Sequence, residues 1–576
     1  MSNSEAFVET MAANNVTDCF GIVGSAFMDA LDIFPAAGIR FVPVAHEQNA
    51  AHMADGYARV TGRHGVCVAQ NGPGITNFVT AIAAAFWAHS PVICITPECG
   101  TMATGLGGFQ ETDQLTIFAK MVKWQAHVNN PARMAELTGR SFDIAMHERG
   151  PVQINIPRDF FYGEHDFSIP EPKRVEKSAG GSASLAAAAD LIAGAKNPVI
   201  LCGGGAVMGG GVPAVQDLAE YLSVPVATTY LHNDAFPRSH PLACGPLGYL
   251  GSQAAMKAIA GADVIIALGT RLGPFGTLPQ YGVDYWPKSA KIVQVDSNYR
   301  HLNLTRDAAV AIQGDAGASA SALLSLLKER GSGVQCLQED AKDKRMTEVT
   351  RLKSEWAAEL DRMTTAYPHS TRCNIKPRAA LRALQDNMPD DAIVATDIGN
   401  TCSVANGYLQ FEKPGSMLGA MTFGNCGYAF PAAIGAKVGC PERPVVAYVG
   451  DGAWGMSLNE TLTCVRENIP VTAVVFNNGQ WGAEKKNQVL WFGDRYVGTQ
   501  LKNPSFAEVA RGMGAEGIKV ETIEDVGPAF RKALELQKEG KTCIVEIMTS
   551  KELGDPFRRD AMKLPKRLLP KYASTS

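Results

Sequence analysis

Short apolar runs rich in β-branched residues recur along this chain, and a longer segment of helical character follows almost every one. CFGIV, IRFVPVAH, GVCVAQ, PVICIT and GPVQINIP mark residues 1–170, and NPVILCGGG, PVATT, ADVIIALG and AKIVQVD mark residues 185–330. A third set, AIVATDIG, PVVAYVGDG, PVTAVVFNN, EGIKV and TCIVEIM, falls within residues 373–550. Continuous apolar runs of this length read as strands buried on both faces. Their alternation with helices makes the pairing parallel, with helices covering each sheet. The expected fold class is therefore α/β, with three doubly wound parallel-sheet domains. A Pro-, Lys-, Ser- and Gly-rich linker at 171–184 separates the first two sets. A charged, helix-prone connector at 331–372 is expected to run over the surface, and a basic tail closes the chain at 551–576.

The chain has 576 residues, more than one hydrophobic core accommodates. A net charge of −4 without a basic stripe argues against a nucleic-acid partner. Thirteen cysteines form no CxxC pair, and several sit inside apolar strand runs, so reduced thiols and a cytoplasmic location are expected. Two segments without formal charge, 76–97 and 416–436, are interrupted by Asn, Pro or Gly. They read as buried core near a site and not as membrane spans.

Residues 444–478 carry the chemistry. PVVAYV reads as a strand, Gly450, Asp451 and Gly452 as a tight turn open to close backbone approach, 458–467 as a helix, and 470–476 as a second strand ending in Asn477–Asn478. One carboxylate and one amide thus reach the carboxyl ends of two parallel strands, where open α/β sheets bind ligands. Both are hard oxygen donors that suit Mg²⁺. A second stretch, HEQNAAHMADGYAR (46–59), places Glu47 between a strand end and a helix N-terminus, where an acid stays ionised. The glycines at 203–205 lack both the GxGxxG spacing and the acid about twenty residues on, which suggests a nucleotide-type domain kept for structure.

The GDG turn, 24 residues and NN, together with HEQNAAHMADGYAR, resemble the thiamine-diphosphate decarboxylase and acetohydroxyacid synthase group over nearly the whole chain. NGPGITN (71–77), GFQETD (108–113), GPLGYLGSQAAM (245–256), FPAAIGA (430–436) and NPVILCGGGA extend the match. That resemblance implies a pyrimidine-binding first domain, a central α/β domain and a diphosphate- and Mg²⁺-binding third domain. It makes Asp451, the Asn478 side chain and the Gln480 backbone carbonyl ligands of Mg²⁺, with Gly450 and Gly452 beside the cofactor. Glu47 becomes the acid that hydrogen-bonds the pyrimidine N1′. Gln110 lies near the reacting carbon, with Phe109 packed beside it, and Met421 or Cys426 props the bent cofactor. His52 is either a proton relay or a packing residue. The two ends of the cofactor are held by different subunits, implying a homodimer or homotetramer.

Within the group, GIVGSAFMDALDIFP, GFQETDQLTIFAKMVKWQ, MLGAMTFGNCGYAFPAAIGAK and NGQWGAEKKNQVLWFGDRYVGTQL are similar to the branch that cleaves a sulfonated aldehyde, sulfoacetaldehyde, with phosphate. The implied products are acetyl phosphate and sulfite, formed through enamine and acetyl adducts of the cofactor in the degradation of organosulfonates such as taurine. Lys485, Lys486 and Arg271 are the candidate cations for the anionic substrates, and a solvated charge run is the competing reading of the lysines. Arg558, Arg559 and Lys566 are either a lid or a solvated terminus. LGTRLGPFGTLPQ keeps Arg271 but lacks the acids of the flavin-containing synthases, so no FAD is expected. The alternatives are an acetolactate-synthase-like carboligase and a flavin-dependent pyruvate oxidase.

Overall fold

The apolar runs pair side by side as the alternation requires. The computed structural model describes residues 1–365, 375–552 and 563–573, and within these it forms three six-stranded, wholly parallel sheets. The first contains β1 (Asp18–Gly21), β2 (Arg40–Pro43), β3 (Gly65–Val68), β4 (Val92–Glu98), β5 (Trp124–His127) and β6 (Val152–Pro157), in the order β2-β1-β3-β4-β6-β5. The second contains β7 (Pro198–Cys202), β8 (Val226–Thr228), β9 (Ala243–Pro246), β10 (Val264–Leu268), β11 (Lys291–Asp296) and β12 (Val310–Gln313), in the order β12-β11-β10-β7-β8-β9. The third contains β13 (Ile393–Thr396), β14 (Met417–Gly419), β15 (Val445–Gly450), β16 (Thr472–Asn477), β17 (Glu516–Val520) and β18 (Cys543–Met548), in the order β14-β13-β15-β16-β18-β17.

Counted within each domain, the first and third sheets share the order 2-1-3-4-6-5, whereas the central one has the 3-2-1-4-5-6 order of dinucleotide-binding folds. Four strands that the apolar runs do not reveal, β5, β9, β12 and β14, all lie at sheet edges. An edge strand has one neighbour and needs no long apolar run, so its sequence signal is weak.

Two helices join the outer domains. Glu47–Thr61 and Ala429–Gly439 are lined with small residues, and a Cβ at Gly56 would stand 2.1 Å from the Ala432 carbonyl oxygen. A Cβ at Gly435 would stand 1.9 Å from the Met53 carbonyl oxygen. Glycine is therefore required for this backbone-to-backbone contact.

The connector differs from its expected surface course. Glu339–Thr365 is one 27-residue helix, and Val349, Leu352, Trp356 and Leu360 recur on one face and are buried. That face packs into the core shared by the central and third domains. Among the described residues, no helix is long and apolar enough to cross a membrane.

Candidate active site

Register builds the metal turn. Gly450 at the end of β15 pairs with Phe476 of β16, so Asp451 and Asn477–Asn478 leave adjacent strands together. Asp451 is 3% exposed, and its Oδ2 accepts hydrogen bonds from the Gly479 N–H at 2.8 Å and Asn503 Nδ2 at 2.9 Å. Burial pushes its carboxyl up to about 6, with surrounding backbone N–H groups opposing the shift. Asn477 donates to Glu546 Oε1 at 2.8 Å and is spent on the fold. Asn478 differs: it is 8% exposed, and its buried Oδ1 has no hydrogen-bond partner among the described residues. The Gln480 carbonyl likewise accepts no hydrogen bond from a described residue. An unpartnered buried acceptor is unfavourable, by about 1–3 kcal/mol. Carboxylate, amide oxygen and free carbonyl form a hard-oxygen set that fits Mg²⁺ and leaves positions for phosphate oxygens. Gly479, at φ +65°, makes the turn between them. Gly452 serves otherwise than its motif suggests: the Trp481 ring occupies the space, 2.8 Å from where a Cβ would be.

Glu47 opens its helix and is partly exposed; its Oε2 accepts from Asn77 Nδ2 at 2.9 Å. Its loop is gripped from another domain. Glu460, fully buried, accepts from the Ala45 and His46 N–H groups at 3.1 Å each, from Asn49 Nδ2 at 2.7 Å and from Thr463 Oγ1 at 2.7 Å. Burial raises the Glu460 pKa, and these donors work against that rise. Gln110, at φ +61°, joins two motif loops beside Glu47. Its Oε1 accepts from Gln70 Nε2 at 2.8 Å, and its carbonyl accepts from Asn71 Nδ2 at 3.1 Å. Phe109 does not pack as expected; it is 83% exposed, with Met102 and Leu106 nearby in sequence also exposed. Among the described residues, no hydrogen bond or ion pair joins Glu47 to Asp451, Asn478 or Gln480.

The remaining candidates fall in several places. Met421 is buried and Cys426 half-buried, on a loop organised by fully buried Asp397. Asp397 accepts N–H bonds from Ile398, Gly427 and Ala429, and burial pushes its carboxyl up to about 6. Lys485 Nζ donates to Gln480 Oε1 at 2.9 Å and lies 4.7 Å from the Tyr496 ring centroid. Burial and the Lys551 ammonium lower its pKa. Lys486 is half-buried and has no ion-pair partner among the described residues. Arg271 stacks 5.0 Å over Trp87 and reaches Thr422 Oγ1 at 3.3 Å, so it links all three domains. Lys566 is exposed, while Arg558 and Arg559 lie outside the described residues.

His52 is fully buried against Tyr428, with its ring pushed down to about 3. Its Nε2 lies 3.2 Å from Asn425 Nδ2, and its burial between two helices fits the packing reading. The glycines at 203–205 are closed in by protein: Cβ atoms there would meet the Gly269 backbone or the His232 ring within 2.7 Å. Asn77, Asp397, Glu460 and Asn503 escaped the sequence reading. Only Asn77 lay in a recognised motif, and the others are isolated polar residues whose partners are distant in the chain.

Three family models match in chain order. The N-terminal TPP-binding domain of thiamine pyrophosphate enzymes matches residues 1–117, the central domain residues 185–323, and the C-terminal TPP-binding domain residues 397–547. The chain belongs to the thiamine pyrophosphate enzyme family. Within this family it is 58% identical to a sulfoacetaldehyde acetyltransferase of Alcaligenes xylosoxydans xylosoxydans, over 99% of this chain and 97% of that protein. A second sulfoacetaldehyde acetyltransferase, of Roseovarius nubinhibens, is 46% identical over 98% of this chain and 95% of its own length. The acetolactate synthase large subunit of Corynebacterium glutamicum is 33% identical over 93% of this chain and 85% of its own length. These thiamine pyrophosphate enzyme models cover both groups of residues, with Glu47 in the first match and Asp451, Asn478 and Gln480 in the third.

Proposed function

We propose that this chain is a thiamine-diphosphate-dependent acetyltransferase that cleaves sulfoacetaldehyde with phosphate, releasing sulfite and acetyl phosphate. The observation that carries this reading is the 58% identity to a sulfoacetaldehyde acetyltransferase across 99% of the chain, against 33% for an acetolactate synthase subunit. We assign Asp451, Asn478 Oδ1 and the Gln480 carbonyl to Mg²⁺, supported by the buried acceptor without a partner. Thiamine diphosphate held by these residues would supply the carbanion chemistry needed at the aldehyde carbonyl. Glu47 holds the proton at the pyrimidine N1′, and the Asn77 amide orients its carboxyl. Met421, or Cys426 on the same loop, would support the cofactor, and Gln110 would lie toward the reacting carbon.

Sulfite departs with the electron pair of the broken C–S bond, so no external oxidant is required. Lys485 and Lys486 offer ammonium groups to phosphate, and Arg271 acts from the central domain. We place the protein in the cytoplasm as a homodimer or homotetramer, a reading supported by its family membership.

The test is sulfite release from sulfoacetaldehyde with thiamine diphosphate and Mg²⁺, with and without phosphate. Acetyl phosphate should appear only with phosphate, from a protein without visible absorbance. Condensation of two 2-keto acids without sulfite release would instead make it a carboligase. Bound flavin with acetyl phosphate formed from pyruvate would make it an oxidase.

A further inference from the structure

A cavity of about 310 Å³ lies where the central sheet, the helix Glu339–Thr365 and the third domain meet. Small-molecule sites of about 300–1,000 Å³ favour such junctions. The lining includes Arg238, Lys353 and Arg382 and contains no carboxylate. Two of these cations are already engaged: Arg238 by Asp390 and Glu412, and Arg382 by Asp361 and the face of Tyr408. Lys353 has no carboxylate partner among the described residues. Its Nζ donates only to the His240 and Pro241 carbonyls, at 3.1 and 3.3 Å. Burial accordingly lowers its pKa.

A second, independent feature lies on the same wall. Asn406 is 3% exposed, and its Oδ1 has no hydrogen-bond partner among the described residues. Its Nδ2 donates to the Tyr249 carbonyl at 3.4 Å, which fixes which end of the amide is left over. Trp356 adds a flat apolar surface.

We propose that this cavity binds a small organic acid bearing a hydroxyl or amino donor. The acid pairs with the Lys353 ammonium, the donor satisfies Asn406 Oδ1, and the apolar body lies on Trp356. The cavity is tied to the metal turn by a short path. Asn406 closes the helix Asn400–Ala405, in which the Thr401 carbonyl accepts from Tyr448 Oη of β15.

Calorimetry on the full chain loaded with thiamine diphosphate and Mg²⁺ tests this with three probes. These are 4-hydroxybenzoate, benzoate without the donor, and 4-hydroxybenzyl alcohol without the acid. 4-Hydroxybenzoate should bind saturably, and each of the others at least about tenfold more weakly. Lys353→Gln and the isosteric, charge-adding Asn406→Asp should each weaken 4-hydroxybenzoate by roughly ten- to a hundredfold. Absence of saturable binding overturns the proposal, as does binding unchanged in both variants. If a variant melts early, a wild-type crystal soaked in the probe decides. Density against Trp356 supports the site, and density elsewhere or none overturns it.

Discussion

Asp451 is the residue whose state most controls the proposed metal site. Its folded pKa is about 6 against an ordinary 3.8. Between these values the folded, metal-free chain keeps a proton that the unfolded chain has released. That contribution to stability is present at the acid end and is lost as pH rises through about 6. Mg²⁺ needs the ionised form, so its affinity should climb over the same window and level off above it. Melting of chelator-treated protein against pH, with and without Mg²⁺, checks both slopes. Asp451→Asn should flatten its share of the first, leaving that of Asp397. Asp451→Ala should abolish cofactor binding and activity together, and normal cofactor affinity in that variant would refute the metal assignment. Glu47→Gln keeps a hydrogen bond to N1′ but holds the proton poorly. Binding should survive while exchange of the cofactor C2 proton, followed by NMR, slows about 10²–10⁴-fold. Both residues were legible because each lies in a short, local motif. Asn478 was named through the family resemblance, and the fold supplies the physical reason: Asn477 is tied to Glu546, while the Oδ1 of Asn478 has no partner among the described residues.

Among the elements, the contact between Glu47–Thr61 and Ala429–Gly439 admits no relaxation, because each glycine meets a carbonyl oxygen and not a flexible side chain. Gly435→Ala should therefore cost about 3 kcal/mol, read as a fall in denaturant midpoint, with the helices forced apart. The Glu460 loop is the other sensitive element. Glu460→Ala leaves four donors without their acceptor, two of them buried, which destabilises by about 1–3 kcal/mol or more. It should also slow C2 exchange while largely sparing Mg²⁺ affinity, the opposite pattern to Asp451→Ala. Interior strands were readable because burial on both faces forces an unbroken apolar run, as in VVAYV or TAVVF. β5, β9, β12 and β14 were not, because edges impose no such demand. The connector helix misled for a related reason. Its abundant charge masks a narrow stripe at 349, 352, 356 and 360 that periodicity carries but composition hides.

For the whole molecule, the proposal that Glu47 of one chain and Asp451 of another complete each centre makes a specific prediction. Mixed after dissociation, inactive Glu47→Gln and inactive Asp451→Ala chains should recover activity. Random pairing gives half of the dimers one intact centre, or about a quarter of wild-type activity. No recovery would argue that each chain completes its own centre. The grip of Glu460 on the Glu47 loop then has a consequence for inheritance. If centres are shared as proposed, a chain altered at Glu47 spoils only the centre it reaches into. A chain disordered across 451–460 loses its own metal turn and also misplaces the acid it lends to its neighbour. In a cell making both normal and altered chains, the first lesion dilutes activity, whereas the second silences every mixed pair and behaves as a dominant trait.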